Sequence, residues 1–248
     1  MAGHSKWSNI KHRKGAQDAK RGKLFTKLGK ELTIAAKEAG GDPNFNPRLR
    51  LAIDKAKAAN MPKDNLERAI KKGTGELDGV DYMEIRYEGY GPEGTAFIVE
   101  VVTDNKNRSA SEVRATFSRR NGNLGTDGAV SWMFQRKGEI IVAAEGVDAD
   151  ELMMAALEAG AEDVKEEDGE FTVLTDSADC NAVAEELKKA GYNVTEGEVA
   201  MIPDNKVQIT DLETAKKVMA LYEGLDDLDD VNDVYSNFDI SDELLEQL

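Results

Sequence analysis

Residues 138–203 constrain the fold more than any other part of this 248-residue chain. They read strand, helix, strand, strand, helix, strand: EIIVA, a helix near Ala149–Ala159, EDVKE, FTVLT, a helix near Ala178–Ala190, and YNVTEGEV. That is a complete ferredoxin-like unit. The flanking sequences are each incomplete by the same measure. Before it, YMEIRYEG and TAFIVEVV form two strands about the Gly91-Pro92 turn. A helix follows from Ser109, with Ser109-x-x-Glu112 as a capping box, and AVSWMF resumes as a strand. After it, VQIT, a helix near Leu212–Tyr222 and VNDVYS supply the missing helix–strand pair. The unit therefore reads as an insertion into a second α+β domain. Three strands end in Thr-Asp, at residues 103–104, 175–176 and 210–211, where a short polar side chain can cap the next helix.

The first 75 residues change period and look all-helical. A helix from about Gln17 to Ala39 stops at Gly40-Gly41 and places Leu24, Leu28, Leu32, Ala35 and Ala39 on one face. Lys23, Lys27, Lys30 and Lys37 form a second stripe, roughly 130° around the helix from the first. A second helix starts with Asn46 as N-cap and Pro47 at its first position, and carries Leu49, Ile53 and Ala56. A third runs from Pro62 to Gly73 with Leu66, Ala69 and Ile70 inward. The expected architecture is an α+β multidomain chain. An N-terminal three-helix domain (1–78) precedes two α+β, ferredoxin-like domains, one (136–204) inserted in the other (79–135 plus 205–248).

Charge divides the chain along the same line. The whole carries 32 Lys+Arg against 48 Asp+Glu, a formal net charge of −16. Residues 1–72 hold 18 of those basic residues and 7 of the acidic ones, so the first part is strongly positive and the rest strongly negative. A phosphate responds to the field within about 8–10 Å, not to the global balance. The competing reading is that the basic and acidic parts attract each other within the fold. The acidic run Asp226, Asp227, Asp229, Asp230, Asp233 lacks the Gly and final Glu of an EF-hand loop and reads as a solvated acidic face.

The candidate nucleic-acid contacts are His4, Lys6, Trp7, Lys11, His12, Arg13, Lys14, Lys20, Arg21, Lys23, Lys27 and Lys30. The cations can neutralise phosphates, the histidines can donate to phosphate or stack, and Trp7 can stack on a base. An anchor pinning the terminal arm to the bundle is an equal reading of Trp7. Lys106, Arg108, Arg114, Arg119 and Arg120 form a second patch in an otherwise acidic half. Catalytic motifs are missing: no G-x-S-x-G, no H-E-x-x-H and no zinc spacing, so neither a metal nor a cofactor is expected. The single cysteine, Cys180, reads as a packed thiol. Gly122, Gly125 and Gly128 mark a turn whose amides could alternatively meet a phosphate. No apolar run spans a bilayer, and with no possible intramolecular disulfide a cytoplasmic monomer is the expectation.

MAGHSKWSNIKHRKGAQDAKRGKLFTKL, GGDPNFNPRLRLAIDKAKAANMPKDNLERAIKKGTGE and YEGYGPEGTAFIVEVVTDNKNRSASEVRATFSRRNGNLGTDGAVSWMF together resemble the YebC/PmpR family. MAALEAGAEDV, EVAMIP and DDVNDVYSNFDI extend the similarity over nearly the whole chain. The resemblance implies a helical N-terminal domain with two α+β domains, and it offers no catalytic residues. Bacterial members are described as DNA-binding transcriptional regulators. Mitochondrial relatives activate translation of a cytochrome oxidase subunit, and some bacterial relatives act at the ribosome. The expected function is a non-enzymatic nucleic-acid-binding regulator of gene expression. The alternatives are a translation factor bound to ribosomal or messenger RNA and the ribosome, and an acidic protein–protein adapter. DNA and RNA remain open as the target.

Overall fold

The computed structural model describes residues 17–167 and 169–248. Three helices come first: α1 (Gln17–Ala39), α2 (Pro47–Ala58) and α3 (Lys63–Gly73). Asn46 caps α2 by accepting from the Leu49 amide at 2.9 Å, while its own amide donates to Ala35 O (2.7 Å) and Gly40 O (2.8 Å). One side chain thus ends α1 and starts α2. Leu28, Leu32, Ala35 and Ala36 pack with Leu49, Ile53, Ala56 and Ala69 into a core of their own. The approach of α1 to α3 is close enough that a Cβ on Gly73 would lie 2.2 Å from Thr33 O.

The following strands β1 (Met83–Tyr90) and β2 (Ala96–Thr103) form an antiparallel hairpin in the register Met83↔Thr103 to Tyr90↔Ala96. Helix α4 (Lys106–Arg119) and the two-residue strand β3 (Asn123–Leu124) complete the first half of this part. The second half is β8 (Val207–Ile209), α7 (Leu212–Asp226), β9 (Val231–Ser236), β10 (Phe238–Ile240) and the short α8 (Asp242–Leu245). The four-stranded sheet has the order β3-β1-β2-β9, and β8 pairs with β10 in a separate parallel ribbon. Phe97, Val99 and Val101 from β2 pack with Val113 and Phe117 from α4 and with Val218, Leu221 and Leu225 from α7.

Between the halves run β4 (Phe134–Ala143), α5 (Ala149–Ala159), β5 (Asp163–Glu167), β6 (Glu170–Asp176), α6 (Cys180–Lys189) and β7 (Val194–Pro203). Their sheet order, β5-β6-β4-β7, puts the first and third strands at the centre, as a ferredoxin-like unit requires. Ile140, Val142, Phe171 and Val173 pack with Leu152, Ala156, Val183 and Leu187. Cys180 is buried in the same core.

The chain forms two compact units: residues 135–202, and residues up to Phe134 together with 203–248. The helical segment therefore belongs to one unit with the split α+β part. Among the described residues no helix is long and apolar enough to cross a membrane.

Three local expectations are corrected. Helix α4 starts at Lys106, not Ser109: its N-cap is Asn105, which accepts from the Arg108 amide at 3.1 Å, and Ser109 is buried with its hydroxyl 2.9 Å from Asp230 Oδ2. Of the three Thr-Asp sites only Asp211 caps its helix, accepting from the Thr214 amide at 2.9 Å. Asp104 instead pairs with Arg108, and Asp176 turns the chain by accepting from the Ala178 amide. AVSWMF is not a strand throughout: Ser131–Met133 form a 3₁₀ turn and β4 begins at Phe134. The amides of Val130 and Ser131 donate to the Glu88 carboxylate, both at 2.8 Å, and are not free for a strand ladder.

Candidate nucleic-acid interface

The N-terminal candidates His4, Lys6, Trp7, Lys11, His12, Arg13 and Lys14 lie outside the described residues. Lys20 belongs to the backbone of α1, with its side chain also outside them. Arg21 is exposed, its guanidinium 5.9 Å from the Phe25 ring centroid.

The lysine stripe of α1 faces the chain's own acidic run. Lys23 Nζ donates to Asp227 O at 3.0 Å. Lys27 Nζ donates to the Asp226 carboxylate at 2.9 Å and to its carbonyl at 2.7 Å. Lys30 is buried and donates to Asp230 Oδ1 (2.9 Å), Asp229 O (2.8 Å) and Val102 O (3.1 Å). Lys37 pairs with Asp81. The acidic run is therefore not simply a solvated face: Asp229 is open to solvent, but Asp230 is buried and Asp226 mostly covered. The carbonyls at the end of α7 and the following turn would otherwise lack donors, and lysine is the cation that complements a helix C-terminus. Internal attraction between the basic and acidic parts accounts for these three lysines.

Asp230 is the hub of this contact. Its Oδ2 accepts from Arg108 Nη2 (2.7 Å), Ser109 Oγ (2.9 Å) and Thr103 Oγ1 (2.9 Å) in addition to the Lys30 bond on Oδ1. Burial alone would raise its pKa. The bonds from Lys30, Arg108, Ser109 and Thr103 outweigh burial and lower it from 3.8 to about 2. The same bonds to Asp230, followed by those to Asp104, push the Arg108 pKa up. A second bridge holds the helices to the sheet. Arg48 reaches Glu31 (2.9 Å), Glu38 (2.9 Å) and Glu84. Burial would lower its pKa, but the carboxylates reverse the sign and raise it.

The second patch separates. Arg108 is committed to Asp230 and Asp104. Lys106, Arg114, Arg119 and Arg120 are exposed, with no carboxylate in ion-pair range among the described residues. Arg114 and Arg119 are about 140° apart around α4, so these cations do not form one stripe. Arg119 and Arg120 close the helix beside the glycine-rich turn.

That turn is filled from within. Glu88 is buried and accepts from the amides of Gly128 (3.1 Å), Val130 (2.8 Å) and Ser131 (2.8 Å). Burial would raise its pKa, and these backbone bonds bring it below the usual carboxylate range. The Gly122 and Gly125 amides donate to Phe117 O and Glu88 O, both at 2.8 Å, so all three glycine amides that the spacing offered to a phosphate have acceptors within the chain. Trp132 follows on the 3₁₀ turn: its ring is 71% exposed, and its indole N–H donates to Ala129 O at 3.1 Å. Phe45, on the turn between α1 and α2, is 83% exposed. Neither ring was among the sequence candidates. The sequence signal for Trp132 is an aromatic four residues after Gly128, inside AVSWMF, which reads as a strand.

The model of the TACO1/YebC protein N-terminal domain matches residues 5–76, and that of the TACO1/YebC second and third domain matches residues 82–238. The chain belongs to the TACO1/YebC family. A relative from Fusobacterium nucleatum, named a "probable transcriptional regulatory protein", is 74% identical over 248 residues, all of both chains. A relative of the same name from Geobacter sulfurreducens is 58% identical over the whole of both chains. The crystal structure of a conserved hypothetical protein from Aquifex aeolicus is similar at a TM-score of 0.85 and 48% identity, over 95% of this chain and 97% of that one.

Proposed function

We propose that this protein is a non-enzymatic, nucleic-acid-binding regulator of gene expression, acting at the level of transcription as the names of its relatives suggest. The observation that carries the reading is the excess of positive charge in the first 72 residues of an otherwise acidic chain. Residues 1–72 hold 18 Lys+Arg against 7 Asp+Glu, while Lys23, Lys27 and Lys30 are committed to the chain's own acidic turn. The phosphate contacts in this reading are Lys6, Lys11, Arg13, Lys14, Lys20 and Arg21, taken from the sequence, with Lys106, Arg114, Arg119 and Arg120 as a second set. His4, His12 and Trp7 add base or phosphate contacts, and the exposed ring of Trp132 offers a stacking surface. The negative remainder repels a polyanion and confines contact to these positions. In this reading residues 1–78 are the binding domain, and the α+β parts (79–135 with 205–248, and 136–204) present it. The protein works in the cytoplasm as a monomer. Crosslinking in cells, followed by sequencing of the attached nucleic acid, tests the reading. Enrichment of promoter DNA is the expected result. Enrichment of ribosomal or messenger RNA would move the regulation to translation, and absence of any enriched nucleic acid would refute it.

A further inference from the structure

Helix α5 (Ala149–Ala159) has two apolar faces. Leu152 and Ala156 are buried in the core of residues 135–202. Met153, Met154 and Leu157 turn away from that core and are 41%, 64% and 51% exposed. At about 100° per residue these three fall within one arc of roughly 100°. Asp150 lies in the same arc one turn towards the N-terminus, and Glu151 and Glu158 border it; all three are exposed. The helix contains no Lys or Arg. A large side chain left in water at i, i+1 and i+4 of one helix is a contiguous apolar patch, not scattered surface hydrophobicity. Two of the three are methionines, whose unbranched thioethers adapt to differently shaped partners.

We propose that this face of α5 docks an amphipathic helix of a partner protein, one with apolar anchors on one face and Lys or Arg along their border. Charge complementarity selects this occupant. A second copy packed face to face would set Asp150, Glu151 and Glu158 against the same carboxylates. Phosphate-bearing partners meet the same repulsion. A basic helix instead buries Met153, Met154 and Leu157 under its anchors and pairs the bordering carboxylates with its cations. The inference is independent of the nucleic-acid reading, because it uses another face and another class of partner.

The test uses the full chain and a fluorescein-labelled synthetic peptide of about five helical turns, built from Leu and Lys in helical periodicity. Fluorescence anisotropy is expected to show binding by this peptide. A Leu/Glu version of it and a scrambled peptide of the same composition should each bind at least about tenfold more weakly. Met154→Ser with Leu157→Ser should lower affinity for the Leu/Lys helix at least about tenfold. Circular dichroism should be unchanged in that variant, because both side chains stand outside the core. Undiminished binding to the serine variant, or equal binding of the scrambled peptide, would overturn the proposal. Sedimentation supplies a further arm: a wild-type dimer that dissociates on Leu157→Glu would assign the face to a second copy and overturn it as well.

Discussion

Replacing Asp230 by alanine leaves Lys30 buried without a carboxylate, its ammonium bonded to the carbonyls of Val102 and Asp229 and 5.8 Å from the Tyr82 ring centroid. It also removes the acceptor shared by Arg108, Ser109 and Thr103. Breaking a buried pair from one side costs about 3–5 kcal/mol, because the surviving charge keeps its desolvation penalty. Asp230→Asn keeps the volume and part of the bonding, and is expected to cost ~2 kcal/mol. The acid dependence gives a second magnitude. The native carboxyl titrates at about 2 against 3.8 for the free group. That difference of nearly two units corresponds to ~2.5 kcal/mol at neutral pH. The folded pKa is the lower one, so the stabilisation is complete above about pH 5 and disappears as pH falls through 4 towards 2. Urea unfolding of the wild type and both variants, followed by far-UV circular dichroism at pH 7 and pH 3, measures both effects. The wild type should lose more stability on acidification than Asp230→Asn. A cost below about 1 kcal/mol for Asp230→Ala, or identical acid dependence in wild type and Asp230→Asn, would refute the assignment of Asp230 as the hub.

Two further outcomes follow from the packing. Glu88→Gln should speed hydrogen exchange at Gly128, Val130 and Ser131 and cost about 1–3 kcal/mol, since three amides lose a charged acceptor. Gly73→Ala should cost about 1–3 kcal/mol in thermal unfolding, because the new methyl group meets Thr33 O at 2.2 Å and Ala36 Cβ at 2.8 Å.

Much of the fold could be read from period alone. Helix α1 ends at Ala39, as the Gly40-Gly41 stop implies, and Asn46-Pro47 opens α2 as expected. The strand–helix pattern of 138–203 gives the sheet order observed. What the sequence hid was long-range pairing. Local pattern marks Ser109 as a helix cap because Glu112 stands three residues on, yet a carboxylate more than a hundred residues away claims its hydroxyl. Glu88 looks like an outward residue of a strand, and nothing local tells that the glycine turn folds back over it. The lysine stripe is legible as a face apart from the apolar one. Its partner is not, since Lys27 and Asp226 are 199 residues apart. Charge counted by segment cannot separate cations already neutralised from those still free.

The proposed function requires phosphates to be met by the basic N-terminal segment, with Arg114, Arg119 and Arg120 as a second set. Its most direct test is the salt dependence of binding to a fluorescent duplex, measured by anisotropy on the full chain. If about six phosphates are bound, log K falls with log salt at a slope near −4 to −5. Charge reversal of Lys11, Arg13 and Lys14 together should abolish measurable binding. Reversal of Arg114, Arg119 and Arg120 should make the slope shallower by about 0.9 for each phosphate no longer neutralised. Unchanged affinity and slope in the N-terminal variant would contradict the account.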